Sequence, residues 1–216
     1  VVPSGNFGNL TSGLIAREMG APIAGFVAAT NTNRTIPDWI ATGEYNARPS
    51  VETFANAMDV GAPSNYERIK AMYTLEEVRR DFASYWLNND GIVDAIKSCN
   101  SKTGYIIDPH GAIGWQAWDS IRSGEMEALI NGNKNDYNNP GLTPNIPAWG
   151  QDVVNKKAVG VILETASPAK FGQTVFDAIG KEPPIPSRLE EVMRLPDRAI
   201  PMDNDYNTFK DWLLAN

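Results

Sequence analysis

The sequence has very little cysteine and histidine: Cys99 and His110 are the only examples among its 216 residues. A single cysteine excludes an internal disulfide and suits a reducing compartment, so we expect a cytoplasmic protein. A structural zinc site takes four ligands, which are mostly cysteine and histidine. One of each cannot supply them, and the sequence therefore predicts no metal site.

Long apolar runs and basic runs are missing as well. No stretch approaches the roughly 20 apolar residues that a membrane-spanning helix needs. Acidic residues number 26 against 19 basic ones, which gives a formal net charge of −7. Nucleic acids and anionic membranes attract clustered lysine and arginine. We therefore expect neither of them as a partner.

The first twenty residues combine a β-branched start, a glycine-containing loop and a helical pattern. The loop consists of Ser4, Gly5, Asn6, Phe7, Gly8 and Asn9. Apolar residues at helical spacing then predict a helix over 10–19, with Asn9 as its N-cap. Backbone N–H groups at a helix N-terminus bind anions, and glycine lets the backbone approach the ligand closely. The pattern indicates a phosphate site, and an ordinary strand-to-helix turn is the alternative.

Apolar runs without alternation predict buried strands. The clearest runs are 22–30, 105–107 and 158–164. Helical patterns lie between them, and the longest covers 74–98 with a break near 88–91. Strand, loop, helix and strand in succession predict a βαβ unit. We therefore expect an α/β fold of three layers, in which helices cover both faces of a mostly parallel sheet.

The chain shows no internal repeat and no clear linker, which predicts a single domain over 1–216. Segment 124–157 differs from the rest because it is rich in asparagine and proline and lacks a regular period. We predict a surface insertion there; long insertions are functional, interfacial or disordered, and the sequence leaves these three open. Because Val1 stands inside a predicted strand, we also expect the chain to be the C-terminal portion of a longer protein.

The loop motif Ser-Gly-Asn-Phe-Gly-Asn lacks the Lys-Ser/Thr ending of an ATP-type phosphate loop and is not Gly-x-Gly-x-x-Gly. It resembles the phosphate-binding loop of threonine synthases, which are pyridoxal-phosphate (PLP) enzymes of the tryptophan-synthase β-subunit type. Four further blocks resemble that family and follow in its order. They are AATNTN at 28–33, NAMD at 56–59, DPHGAIG at 108–114 and TASPAKF at 165–171.

The resemblance implies PLP as the cofactor and a fold-type II PLP domain of which this chain forms part. By their places in the motifs, the residues Ser4–Asn9 would hold the cofactor phosphate and the Thr165 hydroxyl would meet the pyridine nitrogen. Asn31 and Asn33 would bind the substrate, with Asp59 as a lesser candidate. Asparagine is also a common loop residue, and a strand-end threonine often satisfies a backbone group. Structural roles are therefore open alternatives for Thr165 and the two asparagines.

The chain departs from the family at Ser167, where the usual block has histidine. His110 is then the one imidazole available, and we assign it, with Thr165, to the catalytic residues; a purely structural histidine is the alternative. Lys170 stands in a motif but at a helix start, which favours a solvent-facing or structural lysine. In this family the Schiff-base lysine lies upstream of the phosphate loop, so we expect it outside this chain and expect the chain alone to be inactive.

The resemblance implies the conversion of O-phospho-L-homoserine and water to L-threonine and phosphate. A small-molecule substrate and the N-terminal portion of the same protein are the partners it implies, in a monomer or a homodimer. Two alternatives stay open. One is a related phospho-lyase that yields 2-oxobutyrate, which Ser167 would allow. The other is a non-catalytic fragment that binds an anion through the same loop.

Overall fold

The computed structural model describes residues 1–132, 139–143 and 145–216. These residues form two compact units, Val1–Pro184 and Ile185–Asn216. The prediction of one domain over 1–216 stays a prediction, and each unit is described by itself.

A four-stranded sheet forms the centre of the described part of the first unit. Its strands are β1 (Val2–Pro3), β2 (Phe26–Thr30), β3 (Phe82–Trp86) and β4 (Gly141–Leu142), in that spatial order. The first three strands are parallel, and β4 pairs with β3 in the antiparallel direction. Every residue of β2 and β3 is buried, as expected for parallel strands covered on both faces.

Helices surround this sheet in the first unit. Those that precede β3 are α1 (Gly8–Glu18), α2 (Thr35–Thr42), α3 (Tyr66–Met72) and α4 (Leu75–Asp81). Those that follow it are α5 (Asn89–Thr103), α6 (Pro109–Ser120), α7 (Met126–Ile130), α8 (Gly150–Val154) and α9 (Gly172–Ile179). Short 3-10 turns occur at Asn56–Met58 and Pro168–Phe171, and Ile121–Glu125 forms a wider turn between α6 and α7.

Side chains of β2 alternate between two separate hydrophobic clusters. Val27 and Ala29 pack in one cluster with residues of α5 and α6, including Ile96. Phe26 and Ala28 pack in the other cluster with residues of α1 to α4. Alternation along a strand sends successive side chains to opposite faces. Helices therefore cover both faces of the sheet, and the predicted three-layer α/β fold is confirmed.

The prediction of a helix over 74–98 is wrong in its middle. Helix α4 begins as expected, because Thr74 and Glu77 form a reciprocal capping box. It ends at Asp81, and the run FASYW at 82–86 is the central strand β3. Aromatic and small residues fit a pleated surface that is buried on both sides, which here overrides the helical spacing.

Two predicted strands are absent from the described sheet. Residues 105–107 pair with no described strand and lead into α6. Residues 158–164 run beside β1 through one pair of bonds: the Val1 ammonium donates to the Val161 carbonyl at 2.7 Å, and the Leu163 N–H donates to the Val1 carbonyl at 3.1 Å. Val159 and Val161 are exposed in this unit, so the run is not buried on both faces as its apolar pattern suggested.

Segment 124–157 is not confined to the surface in the residues described for it. Five of its side chains are buried in the main hydrophobic cluster, namely Met126, Leu129, Leu142, Trp149 and Val153. Residues 133–138 and 144 of the segment lie outside the described ranges. Its asparagine and proline content hid these spaced apolar residues. That it is an insertion stays a prediction.

The second unit, Ile185–Asn216, contains α10 (Ser187–Met193) and α11 (Tyr206–Ala215). The Asp205 carboxylate caps α11 by accepting from the Thr208 N–H at 2.7 Å, which satisfies a free donor of the first helical turn. Neither helix has a buried residue. In the ranges that the structure covers, none of the helices has the length and apolar character needed to cross a membrane.

Trp149 packs segment 124–157 against the residues that precede β2 and β3. Its indole N–H donates to the Asp81 carbonyl at 2.8 Å. A Cβ at Gly25 would lie 1.7 Å from the same indole nitrogen. We expect Gly25→Ala to lower the free energy of unfolding by about 1–3 kcal/mol, because the buried ring cannot move aside cheaply. Urea denaturation of the full-length protein measures it.

The matched control is Gly172→Ala, because a Cβ at Gly172 meets nothing within 4 Å. This variant should be at least as stable as the parent, since alanine favours a helix over glycine. Equal stability of the two variants would contradict the packing of Trp149 over Gly25.

Candidate functional site

The loop after β1 lies at the carboxyl edge of the parallel strands, where ligands of open α/β sheets bind. The Ser4 N–H donates to the Ala29 carbonyl at 2.8 Å, and the Ser4 hydroxyl donates to the Val2 carbonyl at 2.9 Å. The loop borders a cleft of about 250 Å³. The residues lining it are Pro3, Ser4, Gly5, Asn6, Phe7, Gly8, Asn9, Ala57, Met58, His110, Thr165 and Ala166. The predicted phosphate loop and both predicted catalytic residues therefore meet in one place.

Helix α1 begins two residues earlier than the sequence suggested. Phe7, and not Asn9, occupies the N-cap position, and it makes no side-chain cap. Its φ of 60° is left-handed, a region that non-glycine residues rarely adopt. The Phe7 ring is 2% exposed and packs in the cluster around α1. Burial of this ring compensates for the strained backbone, which the sequence could not reveal.

The start of α1 supplies backbone donors to the cleft. The first intrahelical bond runs from the Thr11 N–H to the Phe7 carbonyl at 3.0 Å. The N–H groups of Gly8 and Asn9 precede it and have no acceptor among the described residues. Free N–H groups and the positive end of the helix dipole together favour an anion.

Gly5 permits a close approach of two backbone segments at the cleft. A Cβ at this position would lie 2.6 Å from the Met58 Cα and 3.0 Å from the Ala57 carbonyl oxygen. Both are backbone atoms, so no rotamer change could relieve the clash. The loop and the 3-10 turn Asn56–Met58 can thus form two walls of one narrow cleft only with glycine at position 5.

Two residues that the sequence analysis missed anchor the loop. Asn6 Oδ1 accepts from the Ser64 N–H at 2.6 Å and from the Ser64 hydroxyl at 3.1 Å. The Asn65 side-chain amide donates to the Asn6 carbonyl at 2.7 Å. In the sequence, a serine and an asparagine before α3 indicate only a helix cap, and no local signal pointed to Asn6.

His110 is buried beside the cleft with both ring nitrogens engaged. Its Nδ1 lies 2.6 Å from Asp108 Oδ1, and its Nε2 accepts from the Ala57 N–H at 3.2 Å. Since Nε2 is an acceptor, the neutral ring carries its proton on Nδ1 and donates it to the carboxylate. This arrangement fixes one wall of the cleft. The catalytic role of His110 stays a prediction.

Asp108 is the N-cap residue of α6 and interacts with Glu164 as well as His110. Its carboxylate accepts from the backbone N–H groups of His110 and Gly111 at 2.8 and 3.3 Å. Burial acts to raise the pKa of Asp108, but hydrogen bonds from His110 and Glu164 outweigh it and hold that pKa below its usual value. Burial, together with the neighbouring Asp108 carboxylate, raises the pKa of Glu164 to about 9. Asp108 is thus the charged member of the pair.

Thr165 and Ser167 follow the extended run 158–164. Thr165 lines the cleft, and its hydroxyl has no hydrogen-bond partner within the described part of the chain. The Ser167 hydroxyl accepts from the Ala169 N–H at 3.4 Å and caps the 3-10 turn Pro168–Phe171. Lys170 is exposed at that turn and does not line the cleft.

Asn31, Asn33 and Asp59 do not line the cleft. Asn31 Nδ2 donates to Asp59 Oδ1 at 2.8 Å, and Asn33 Nδ2 donates to Asn31 Oδ1 at 3.0 Å and to the Val51 carbonyl at 2.8 Å. Asp59 also accepts from the Thr53 N–H and hydroxyl at 2.9 and 2.7 Å. The three side chains hold the loop around 51–59 against the end of β2. Their predicted substrate role stays a prediction.

Among residues 1–132, 139–143 and 145–216, no group of three or more histidine, cysteine or acidic residues is placed to hold a metal ion.

Comparisons with known proteins extend over the whole chain. Residues 148–213 match the family model described as threonine synthase, C-terminal. Threonine synthase of Haemophilus influenzae is 34% identical over 216 residues, covering 100% of this chain and 43% of the relative. Threonine synthase of Methylobacillus glycogenes is 34% identical over 226 residues, covering 100% and 45%. The chain thus spans less than half the length of the relatives it matches.

Solved structures of threonine synthases also match this chain. Threonine synthase from Escherichia coli superposes with a TM-score of 0.71 at 27% identity, covering 99% of this chain and 42% of that one. A PLP-bound threonine synthase from Brucella melitensis gives 0.70 at 27% identity, covering 98% and 44%. Taken together, the motifs, the sequence similarity over the whole of this chain and the shared fold show that this chain resembles the C-terminal part of threonine synthases.

Proposed function

We propose that the protein to which this chain belongs uses PLP to convert O-phospho-L-homoserine and water to L-threonine and phosphate. The relatives that the chain matches carry the name threonine synthase, and one solved relative is described as PLP-bound. The observation that carries the proposal is the cleft itself, in which the glycine-containing loop, Thr165 and His110 meet.

The loop fits the phosphate of PLP. Free N–H groups of Gly8 and Asn9 at the start of α1 suit a phosphate monoester. Gly5 lets the loop backbone approach the opposite wall, where Met58 Cα would lie 2.6 Å from any Cβ at that position. Phosphate held by backbone donors needs no lysine or arginine, and none lines the cleft in the described residues.

Thr165 fits the pyridine nitrogen of the cofactor. Its hydroxyl lines the same cleft and meets no protein acceptor or donor in the described part of the chain. A neutral hydroxyl, unlike a carboxylate, does not hold the ring nitrogen protonated. When bound, PLP supplies the electron sink that eliminations and replacements at the substrate carbons need. A structural threonine at a strand end stays the alternative.

The chain contributes binding and orientation in this proposal. His110 holds Ala57 in the wall of the cleft through its Nε2. A second anion site for the substrate phosphate stays a prediction at Asn31, Asn33 and Asp59, whose side chains hold the neighbouring loop.

The lysine that binds PLP covalently is proposed to come from the remainder of the protein. No lysine lines the cleft in the described residues, and the chain spans about 43% of its relative from H. influenzae. We therefore propose the N-terminal portion of the same protein as the partner that completes the site, and an isolated chain that does not turn over.

The first test is a product assay on the full-length protein. We expect PLP to produce an absorbance band near the visible edge, and O-phospho-L-homoserine to release phosphate and L-threonine in equal amounts. Phosphate with 2-oxobutyrate in place of threonine would favour the related phospho-lyase, for which Ser167 in the family's histidine position is the motivating observation. No PLP band would contradict the proposal and favour an anion-binding fragment.

Gly5→Ala tests the phosphate site in the full-length protein. An added Cβ collides with backbone atoms of Met58 and Ala57, so the loop or the opposite wall must move apart. We expect the dissociation constant for PLP to rise more than tenfold, because the N–H groups lose their positions around the phosphate. Gly172→Ala, which adds a Cβ in open space, should leave it unchanged. PLP titration by absorbance compares the two, and equal affinities would contradict the assignment.

Glu164→Gln tests the carboxyl pair beside the cleft. In the unfolded chain Glu164 ionises near its ordinary pKa of 4.5, whereas burial and Asp108 keep it protonated to about 9 in the folded chain. Folded protein then binds more protons than unfolded protein between these values, so this group makes stability fall as pH rises. Glutamine cannot ionise, so it removes this loss of stability at high pH, and its amide can still donate a hydrogen bond to Asp108.

We expect Glu164→Gln to match the parent near pH 4.5 and to exceed it by about 1 kcal/mol at pH 8, since the side chain is partly solvated. Thermal unfolding of the full-length protein at the two pH values measures the difference. Glu182→Gln, at an exposed position, should follow the parent at both. Parallel pH profiles of Glu164→Gln and the parent would show that the pair does not share a proton.

A further inference from the structure

We propose that Ser64 and Asn65 are positioning residues for phosphate binding: Ser64 orients the side-chain amide of Asn6 so that its nitrogen, and not its oxygen, is left for the anion, and Asn65 holds the Asn6 backbone carbonyl. This inference rests on the proposed PLP-phosphate site. Neither residue lines the cleft, so both act through Asn6.

The first observation concerns the orientation of the Asn6 amide. Its Oδ1 accepts two hydrogen bonds from Ser64, at 2.6 Å from the N–H and 3.1 Å from the hydroxyl. Two donors to one atom identify that atom as the oxygen. The Asn6 Nδ2 has no acceptor among the described residues. Asn6 itself is exposed and lines the cleft, so its amide offers a donor to a ligand. Reversed, it would present a carbonyl dipole that repels phosphate.

The second observation is that Asn65 does not cap its own helix. It stands at the N-cap position of α3 but makes no side-chain cap. An N-cap asparagine normally accepts from a backbone N–H of the first turn. Here its Nδ2 donates to the Asn6 carbonyl at 2.7 Å, and its Oδ1 accepts from Arg68 at 3.2 Å. The Asn65 backbone is helical, with φ −73° and ψ −8°, and its side chain holds the phosphate loop and caps no N–H group of α3.

The third observation is the strained turn that follows. Phe7 has a left-handed φ of 60°, and Asn6 directly precedes it. Residues in such conformations persist only where their surroundings fix them. The ring is fixed by burial, and the preceding peptide is fixed by its bond from Asn65. Release of that bond frees the turn that orients the N–H groups of Gly8 and Asn9.

Asn65→Asp separates this role from a structural one. Aspartate is nearly isosteric and caps a helix at least as well as asparagine, and its charge suits a helix N-terminus. It has no amide donor, so it cannot bond the Asn6 carbonyl and would repel it. Positioning therefore predicts weaker phosphate binding at unchanged or higher stability. Asn155→Asp, at an exposed position that does not line the cleft, is the charge-matched control.

The experiment compares PLP with pyridoxal, which lacks the phosphate, on the full-length protein. For Asn65→Asp we expect the dissociation constant of PLP to rise about tenfold, because a displaced Asn6 would lose about one hydrogen bond to the phosphate, while that of pyridoxal stays within about twofold. Asn155→Asp should change neither constant. Thermal unfolding of each variant without cofactor accompanies the titrations.

Each other outcome overturns the inference. Unchanged PLP affinity in Asn65→Asp would show that Asn6 needs no support from Asn65. Equal losses for PLP and pyridoxal, or a loss that follows lower stability, would show a structural role in folding. Failure of the proposed function is distinguishable, because the parent protein itself would then bind PLP no better than pyridoxal.

Discussion

The close approach of two backbone segments is the constraint on which the site depends. Gly5 of the first loop touches Met58 of the opposite 3-10 turn at a distance that no side chain would permit. Free backbone N–H groups at the start of α1 border the cleft between them and suit a small anion. Such a cleft has few side chains of its own with which to define its shape. Its precision must therefore come from residues behind each wall.

Those residues form two supports on the wall that faces the phosphate loop. Asn31, Asn33 and Asp59 hold the chain around 51–59 to the end of β2, and His110 holds Ala57 from the side of α6. The held segment continues to Ser64 and Asn65, which hold Asn6 in turn. Buried polar groups that are fully hydrogen-bonded specify one arrangement of a loop. Sheet, loop and helix start are thus linked by hydrogen bonds between polar groups, of which His110 and Asn6 also line the cleft.

The sequence was informative where one contiguous motif forms one surface. The loop Ser4–Asn9 was predicted from its glycines and the helix that follows, and the structure brings Thr165 and His110 to it as the motifs implied. The sequence led to a wrong prediction at β3, because the apolar spacing of that run fits a helix as well as a strand. No sequence signal indicated the contacts of Ser64 and Asn65 with Asn6, because serine and asparagine before a helix are also the usual capping residues. Long-range hydrogen bonds leave no local pattern.

The composition of the cleft indicates which part of the chemistry this chain performs. Among the described residues that line it, none carries a carboxylate, a guanidinium or an amino side chain. His110 is the one imidazole among them. Its Nδ1 is hydrogen-bonded to Asp108 and its Nε2 accepts from the Ala57 N–H, so the ring has no free lone pair for a substrate proton. Efficient proton transfer needs a group within hydrogen-bond reach whose pKa suits the task. This chain supplies amide, hydroxyl and backbone donors, which bind and orient. In the proposed enzyme, we therefore expect the groups that transfer protons to come from outside the described lining of this cleft.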